Sequence, residues 1–229
     1  MKNISEVVNK TIRKEKVVQF GEGGFLRAFV DSMLHKMNNQ NLFNGSVVVV
    51  QPIEHGMCDA LNSQNCLYTQ YLRGIENGKT VVDCEVIDVI SRCINPYTDF
   101  SSYLELAHNP DIRVIVSNTT EAGIAYNEGD KLTDMPPKSF PAKLTVFLYE
   151  RFKSGLDGFI ILPCELIESN GKKLKEIVLK YAEDWNLEPE FVSWLNEKNT
   201  FNSTLVDRIV TGYPKEEAEQ LCSQLGYVD

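Results

Sequence analysis

The sequence predicts an α/β fold: a doubly wound, mostly parallel sheet with a small antiparallel hairpin excursion, formed as one domain over residues 1–229. Three observations predict it. Apolar, β-branched runs recur at Val17–Phe20, Val47–Val50, Ile112–Val116 and Phe159–Leu162. Their apolar character is continuous rather than alternating, which marks strands covered on both faces, as in a parallel sheet. Helix-period segments lie between the runs, and alternation of strand and helix builds a doubly wound sheet. Glu76-Asn77-Gly78 separates two further strand-like stretches, Leu67–Gly74 and Lys79–Ile90. That is a hairpin signal.

Each element follows in order. Val17–Phe20 meets a turn containing Gly21, Gly23 and Gly24. Gly24–Met37 then places Phe25, Ala28, Phe29, Met33 and Met37 at helical spacing. The strand Val47–Val50 and the hairpin come next, followed by a helix over Tyr97–Ala107, with Phe100, Tyr103, Leu104 and Ala107 on one face. The strand Ile112–Val116 leads to a polar stretch, Asn127–Phe140, whose Gly129, Pro136 and Pro137 mark a surface loop. Pro141 suits the first turn of a helix over Pro141–Phe152. Phe159–Leu162 is the last long apolar run. Lys172–Trp185 and Lys215–Leu225 have helical spacing, and Trp185, Phe191 and Trp194 read as core aromatics.

Composition excludes several classes of function. Lys and Arg total 23 against 32 Asp and Glu, a net charge of −9. A nucleic-acid partner would need clustered basic charge, so none is expected. The six cysteines have no C-x-x-C spacing, and the histidines are His35, His55 and His108. No metal site is expected from that pattern. The chain opens M-K-N-I-S-E, without a basic segment leading into an apolar one, and no run approaches a membrane span. A cytoplasmic protein with reduced thiols and no membrane partner is the expectation.

The glycine turn is the candidate binding element. A strand, a tight glycine turn and a helix aim free backbone N–H groups toward an anion, of which a dinucleotide pyrophosphate is the usual example. The residues are Gly21, Glu22, Gly23, Gly24, Phe25 and Arg27, with Leu26 where a third glycine is usual. Glycine turns also join strands to helices for steric reasons alone. Arg27 has the reach for a phosphate or a carboxylate, or for packing over the sheet edge. The acid that ends the second strand in such folds is missing. Gln51 follows Val50, and the nearest carboxylate is Glu54. Gln51 is still able to bond a ribose, with weaker discrimination against a 2′-phosphate.

Gly21-Glu22-Gly23-Gly24-Phe25-Leu26-Arg27-Ala28 resembles the G-x-G-x-F-x-R-A turn of the polyol-specific long-chain dehydrogenases, the mannitol dehydrogenase family. The resemblance runs from about Lys16 to the last residue. It includes Leu67-Tyr68-Thr69, Ser117–Ile124, Leu162–Ile167, Asn170-Gly171 and Leu205–Pro214, and is similar to the branch of tagaturonate reductases, or altronate oxidoreductases. It implies a Rossmann-type fold, NAD as cofactor, and hydride transfer between an alcohol carbon and a ketone of a small sugar acid. Thr119, Thr120 and Glu121 match the family loop beside the nicotinamide. Asp207 and Arg208 match the edge of the substrate pocket. A uronate carboxylate suits a guanidinium, and both Arg27 and Arg208 qualify. Glu121 reads equally as a solvated turn residue, and Arg208 as a paired surface charge.

The chain departs from the pattern in two places. Mannitol-type members carry an asparagine after the Cys-acid pair, where this chain has Leu166; either the donor comes from elsewhere, with Asn170 the candidate, or the oxyanion site is built differently. The family's general base is the lysine of a K-x-x-x-x-N-x-x-H motif in a second, helical domain, and no lysine here begins such a motif. The expectation is a cofactor domain without its C-terminal catalytic partner, holding no catalytic residue of its own. Another polyol or polyol-phosphate dehydrogenase, or a non-enzymatic nucleotide-binding module, are the alternative readings.

Overall fold

The computed structural model describes residues 1–229, the side chain of Glu76 apart. In chain order the strands are β1 (Lys2–Asn3), β2 (Glu15–Phe20), β3 (Ser46–Val50), β4 (Tyr68–Glu76), β5 (Lys79–Ile87), β6 (Ile90–Ile94), β7 (Val114–Ser117), β8 (Ile160–Pro163), β9 (Thr200–Phe201) and β10 (Tyr227–Val228). The α-helices are α1 (Gly24–Leu26), α2 (Ser32–Asn39), α3 (Cys58–Ser63), α4 (Phe100–Glu105), α5 (Phe140–Lys153), α6 (Asn170–Asp184), α7 (Pro189–Lys198) and α8 (Ala218–Leu225). A π-helical segment, Arg27–Asp31, joins α1 to α2.

The main sheet has six strands in the order β6-β3-β2-β7-β8-β9, and all of its pairs are parallel. Counted along the chain this is the 3-2-1-4-5-6 order of dinucleotide-binding folds. The apolar runs are continuous because successive residues enter opposite cores. Val18, Phe20, Val48 and Val50 join one core, under α4, α5, α6 and α7. Val17, Val47 and Val49 join the other, under the first helices, α3 and the hairpin.

Several expected boundaries move for local reasons. The helix expected from Tyr97 starts at Phe100, because the Asp99 side chain accepts from Ser102 N and caps it there. The arm expected to run to Ile90 ends at Ile87, and Ile90 instead opens β6, paired to β3. The Asn127–Phe140 loop closes at Ser139, whose side chain caps α5. α3, α7, β6 and β9 are elements beyond those read from the sequence. Trp194 and Phe191 pack on the larger core as expected, and Trp185 donates to the Asp130 carbonyl at 3.1 Å.

The hairpin β4–β5 leans on the first helix. The carbonyls of the π turn accept side chains from the hairpin. Tyr68 Oη donates to the Arg27 carbonyl at 2.7 Å, and Gln70 Nε2 to the Ala28 carbonyl at 3.0 Å. These are alternate residues of β4, so one face of the hairpin meets both carbonyls. Farther along, His35 lies between Asp88 (3.0 Å) and Glu85 (3.1 Å) and pins the hairpin to α2. The Asp88 bond holds the imidazole above its ordinary pKa, so this clasp is strongest while His35 is charged.

Candidate functional site

Five strands end in one row. Phe20 is in register with Val50 and Ser117, Val50 with Ile94, and Ser117 with Pro163. The residues just beyond this row are Asn95, Gln51, Gly21, Asn118 and Cys164. The strand order reverses at β2, which has β3 on one side and β7 on the other. Ligands of open α/β sheets bind outside the carboxyl ends at such a switch point. The glycine turn follows β2 there, and the loop from Asn118 to Gly123 follows β7.

These two loops touch. Gly21 has φ +120°, and a Cβ on it would stand 2.7 Å from the Asn118 carbonyl oxygen. Both facts demand glycine. A Cβ on Gly23 would meet nothing within 4 Å, so the turn is open on that side. The helical run Gly24–Asn39 starts here. Its first-turn N–H groups lack intrahelical acceptors and carry the positive end of the helix dipole. An open turn at the positive end of a helix suits an anionic group. Arg27 is half-buried, with Nε donating to the Glu22 carbonyl at 3.1 Å and the guanidinium 5.2 Å from the centre of the Tyr68 ring. Phe25 packs against Phe29, with ring centres 5.5 Å apart.

Behind the turn lies a buried polar pair that the sequence analysis did not single out. Gln19 Nε2 donates to the Gly21 carbonyl at 3.1 Å and to Asp31 Oδ2 at 3.2 Å. Gln19 Oε1, Asp31 Oδ1 and Gln70 Oε1 are buried without a donor. Burial pushes the Asp31 carboxyl up to about 7, against the lowering effects of Gln19 and Arg27. An unfolded Asp titrates near 3.8. Between those values the unfolded chain releases a proton that the folded chain keeps, so this group's stabilisation is full below pH 3.8 and is lost as pH rises through about 7. Asp31→Asn is expected to flatten that decline and to exceed the parent in stability at pH 8. Urea unfolding of both proteins at pH 5 and pH 8 checks this, and identical pH slopes would contradict it.

On the other side of the switch point, Glu165 fixes the loop after β7. It is buried and accepts from Ser117 Oγ, Thr119 N and Thr119 Oγ1, each at 3.0 Å. Thr119 therefore turns its hydroxyl inward. Thr120, at φ +73°, and Glu121 stand exposed at the rim. Asn118 Nδ2 bridges to the Cys164 carbonyl at 2.7 Å.

Asp207 and Arg208 lie on an extended segment that crosses this edge. Thr204 N is held by Asn170 Oδ1 at 3.0 Å near the end of β8, and Val210 reaches within 4.0 Å of a Cβ placed on Gly24. Asp207 is exposed and Arg208 half-buried along that path. Asn170 is not a free donor. It is fully buried, and its Nδ2 donates to the carbonyls of Pro163 and Glu165, at 3.0 Å each. The expectation that it replaces the amide missing at Leu166 is corrected: Asn170 clamps the start of α6 to the crossing segment. Gln51 is also 98% removed from solvent. Its Nε2 donates to the carbonyls of Ile53 (2.8 Å) and Glu54 (3.1 Å), and its Oε1 accepts from Cys58 N at 3.1 Å. Its amide shapes the loop after β3.

Among the described residues, no group of three or more His, Cys, Asp or Glu is placed to hold a metal ion, and no helix is long and apolar enough to cross a membrane.

Comparison with known proteins agrees with this geometry. The family model described as the mannitol dehydrogenase Rossmann domain matches residues 15–225. Altronate oxidoreductase of Pectobacterium carotovorum is 52% identical over 220 residues, covering 94% of this chain and 45% of that protein. The altronate oxidoreductase of an Escherichia coli O1:K1 strain is 50% identical over 220 residues, covering 94% of this chain and 46% of that protein. The chain thus spans about half the length of the curated relatives it matches. Among solved structures, Pseudomonas fluorescens mannitol 2-dehydrogenase, in a ternary complex with NAD and D-mannitol, superposes with a TM-score of 0.80 at 21% identity, covering 93% of this chain and 45% of that one. A D-sorbitol dehydrogenase in substrate-free form gives 0.79 at 24% identity, covering 95% and 47%.

Proposed function

The chain belongs to the mannitol dehydrogenase family, and from that premise we propose that it is the NAD-binding part of a cytoplasmic oxidoreductase interconverting altronate and tagaturonate. The observation that carries the cofactor reading is the glycine cradle at the switch point. Gly21 is in a conformation and a contact that only glycine satisfies, and Gly23 leaves the turn open. The first-turn N–H groups and Arg27 would hold the pyrophosphate. Thr119, Thr120 and Glu121 would border the nicotinamide end, and Asp207 with Arg208 the sugar acid. NAD, when bound, supplies the hydride-accepting ring carbon. The substrate reading rests on the altronate oxidoreductases that match 94% of the chain.

Hydride transfer to a ketone also needs a proton donor within hydrogen-bond reach. The 229 residues hold no K-x-x-x-x-N-x-x-H motif, and we place that donor in a C-terminal domain beyond them. These residues alone are expected to reduce tagaturonate at least about a thousandfold more slowly than a full-length relative. Grafted in place of the matching 220 residues of the Pectobacterium enzyme, they are expected to support tagaturonate reduction with NADH within about tenfold of the parent, a difference of about 1.4 kcal/mol. Comparable turnover by the 229 residues alone would overturn the division of labour. A folded chimera that binds NADH and reduces fructose but not tagaturonate would overturn the substrate.

A further inference from the structure

Gln51 stands where the second strand of such folds usually ends in an acid, and its amide is fully committed to its own loop. A carboxylate nevertheless stands beside that position, and it comes from the glycine turn. Glu22 is buried to 7% exposure. Its Oε1 lies 3.4 Å from the Met57 N–H, in the loop after β3. A Cβ on Gly56 would stand 2.1 Å from Glu22 Oε1 and 2.6 Å from Gln51 Cδ. Glycine at 56 is therefore what lets the Glu22 side chain enter beneath this loop. The turn and β3 are already joined at this point, since Gly21 N donates to the Val50 carbonyl at 3.1 Å. Glu22 Oε2 has no protein donor among the described residues and is not among the fully buried unpartnered atoms, so it keeps a face open to a ligand.

We propose that Glu22 is the ribose-reading carboxylate of this domain, selecting NAD over NADP from the glycine turn rather than from the end of β3. The inference rests on the cofactor reading above and names the group that discriminates. A carboxylate there accepts hydrogen bonds from the ribose 2′- and 3′-hydroxyls and repels a 2′-phosphate. Glu54, the nearest acid downstream of β3 in sequence, is exposed in the same loop, and it is assigned no part in the discrimination.

The test is a fluorescence titration of the 229-residue chain with NADH and with NADPH, with folding of each variant checked by circular dichroism. The parent is expected to bind NADH at least about thirtyfold more tightly than NADPH. Glu22→Gln keeps the shape and removes the charge, and it is expected to shrink that ratio by about tenfold or more, chiefly by tighter NADPH binding. Gly56→Ala, which pushes the carboxylate out of the loop, is expected to shift the ratio the same way, while Glu54→Gln leaves it unchanged. An unchanged ratio in folded Glu22→Gln, or a shift in Glu54→Gln instead, overturns the proposal. Equal binding of the two nucleotides by the parent overturns it while leaving the cofactor reading intact. Binding of neither by the folded parent overturns the cofactor reading itself.

Discussion

Gly21→Ala is expected to remove measurable NADH binding from an otherwise folded domain. Two costs combine at this position. The backbone sits at φ +120°, a region that residues with a Cβ rarely adopt, and holding alanine there costs about 1–3 kcal/mol. The added Cβ would also press against the Asn118 carbonyl at 2.7 Å. That carbonyl belongs to the backbone just beyond β7, so it yields only if the loop after β7 moves. Relief of the clash separates the two loops that form the crevice. NADH affinity is expected to fall at least about thirtyfold, equivalent to about 2 kcal/mol. Gly78→Ala is the control: its φ is also positive, at +76°, but among the described residues its Cβ would meet nothing within 4 Å. It should cost a fraction of the stability and leave NADH binding untouched. Fluorescence titration of both variants beside the parent decides the matter. Equal NADH affinity in Gly21→Ala would mean that the turn is not the cradle.

Arg151→Ala is expected to cause the largest loss of stability. Arg151 is 1% exposed, yet among the described residues it has no carboxylate within salt-bridge distance. Its Nε donates to the Asp157 carbonyl at 2.8 Å, Nη1 to Ala107 at 3.1 Å and Asn109 at 2.7 Å, and Nη2 to Ile112 at 3.1 Å. The guanidinium also lies 4.6 Å from the centre of the Phe159 ring. Burial lowers its pKa to about 10, so it stays charged at neutral pH. These carbonyls belong to the chain entering β7 and β8, at the amino ends of the sheet and away from the glycine turn. Truncation removes these donors, leaving the Asn109 carbonyl with only the Ile112 N–H at 3.3 Å, and opens a cavity, at a cost of about 3–5 kcal/mol. That is a large share of the stability of an ordinary domain. Arg151→Lys should rescue little, because an ammonium cannot present the planar fork that meets carbonyls on three sides. Urea midpoints measure the loss. NADH affinity of the folded fraction should be unchanged, and a midpoint shift worth less than about 1 kcal/mol would contradict the assignment.

The parts of the fold legible in the sequence are those where burial leaves a mark on neighbouring residues. Val47–Val50 reads as a strand because its residues alternate between two cores and all must be apolar. β6 was hidden because Lys79–Ile90 is rich in strand-forming residues throughout, and Asp88-Val89 gives no sharp break where the chain leaves the hairpin. β9 has two residues, Thr200–Phe201, too few to show a period. α7 had a readable signal, with Pro189 in its first turn and Phe191 and Leu195 buried four apart. The site divides the same way. Gly21, Gly23 and Gly24 are visible because glycine spacing reflects local backbone need. The contact of Glu22 with Gly56 spans 34 residues of chain and has no local signature. Asn170 looked like a free amide because its acceptors come from β8 and the crossing segment. Gln19 and Asp31 were polar exceptions in an apolar strand and an amphipathic helix, and such exceptions are the available clue to a buried polar network.

The turn from Gly21 to Arg27 is expected to hold a dinucleotide in this chain as it stands. Titrating the 229 residues with NADH, and reading nicotinamide fluorescence with energy transfer from the tryptophans, tests it most directly. The expected result is a saturable signal below millimolar NADH, displaced by NAD and abolished by Gly21→Ala. A folded protein that gives no saturable signal up to millimolar NADH would contradict it.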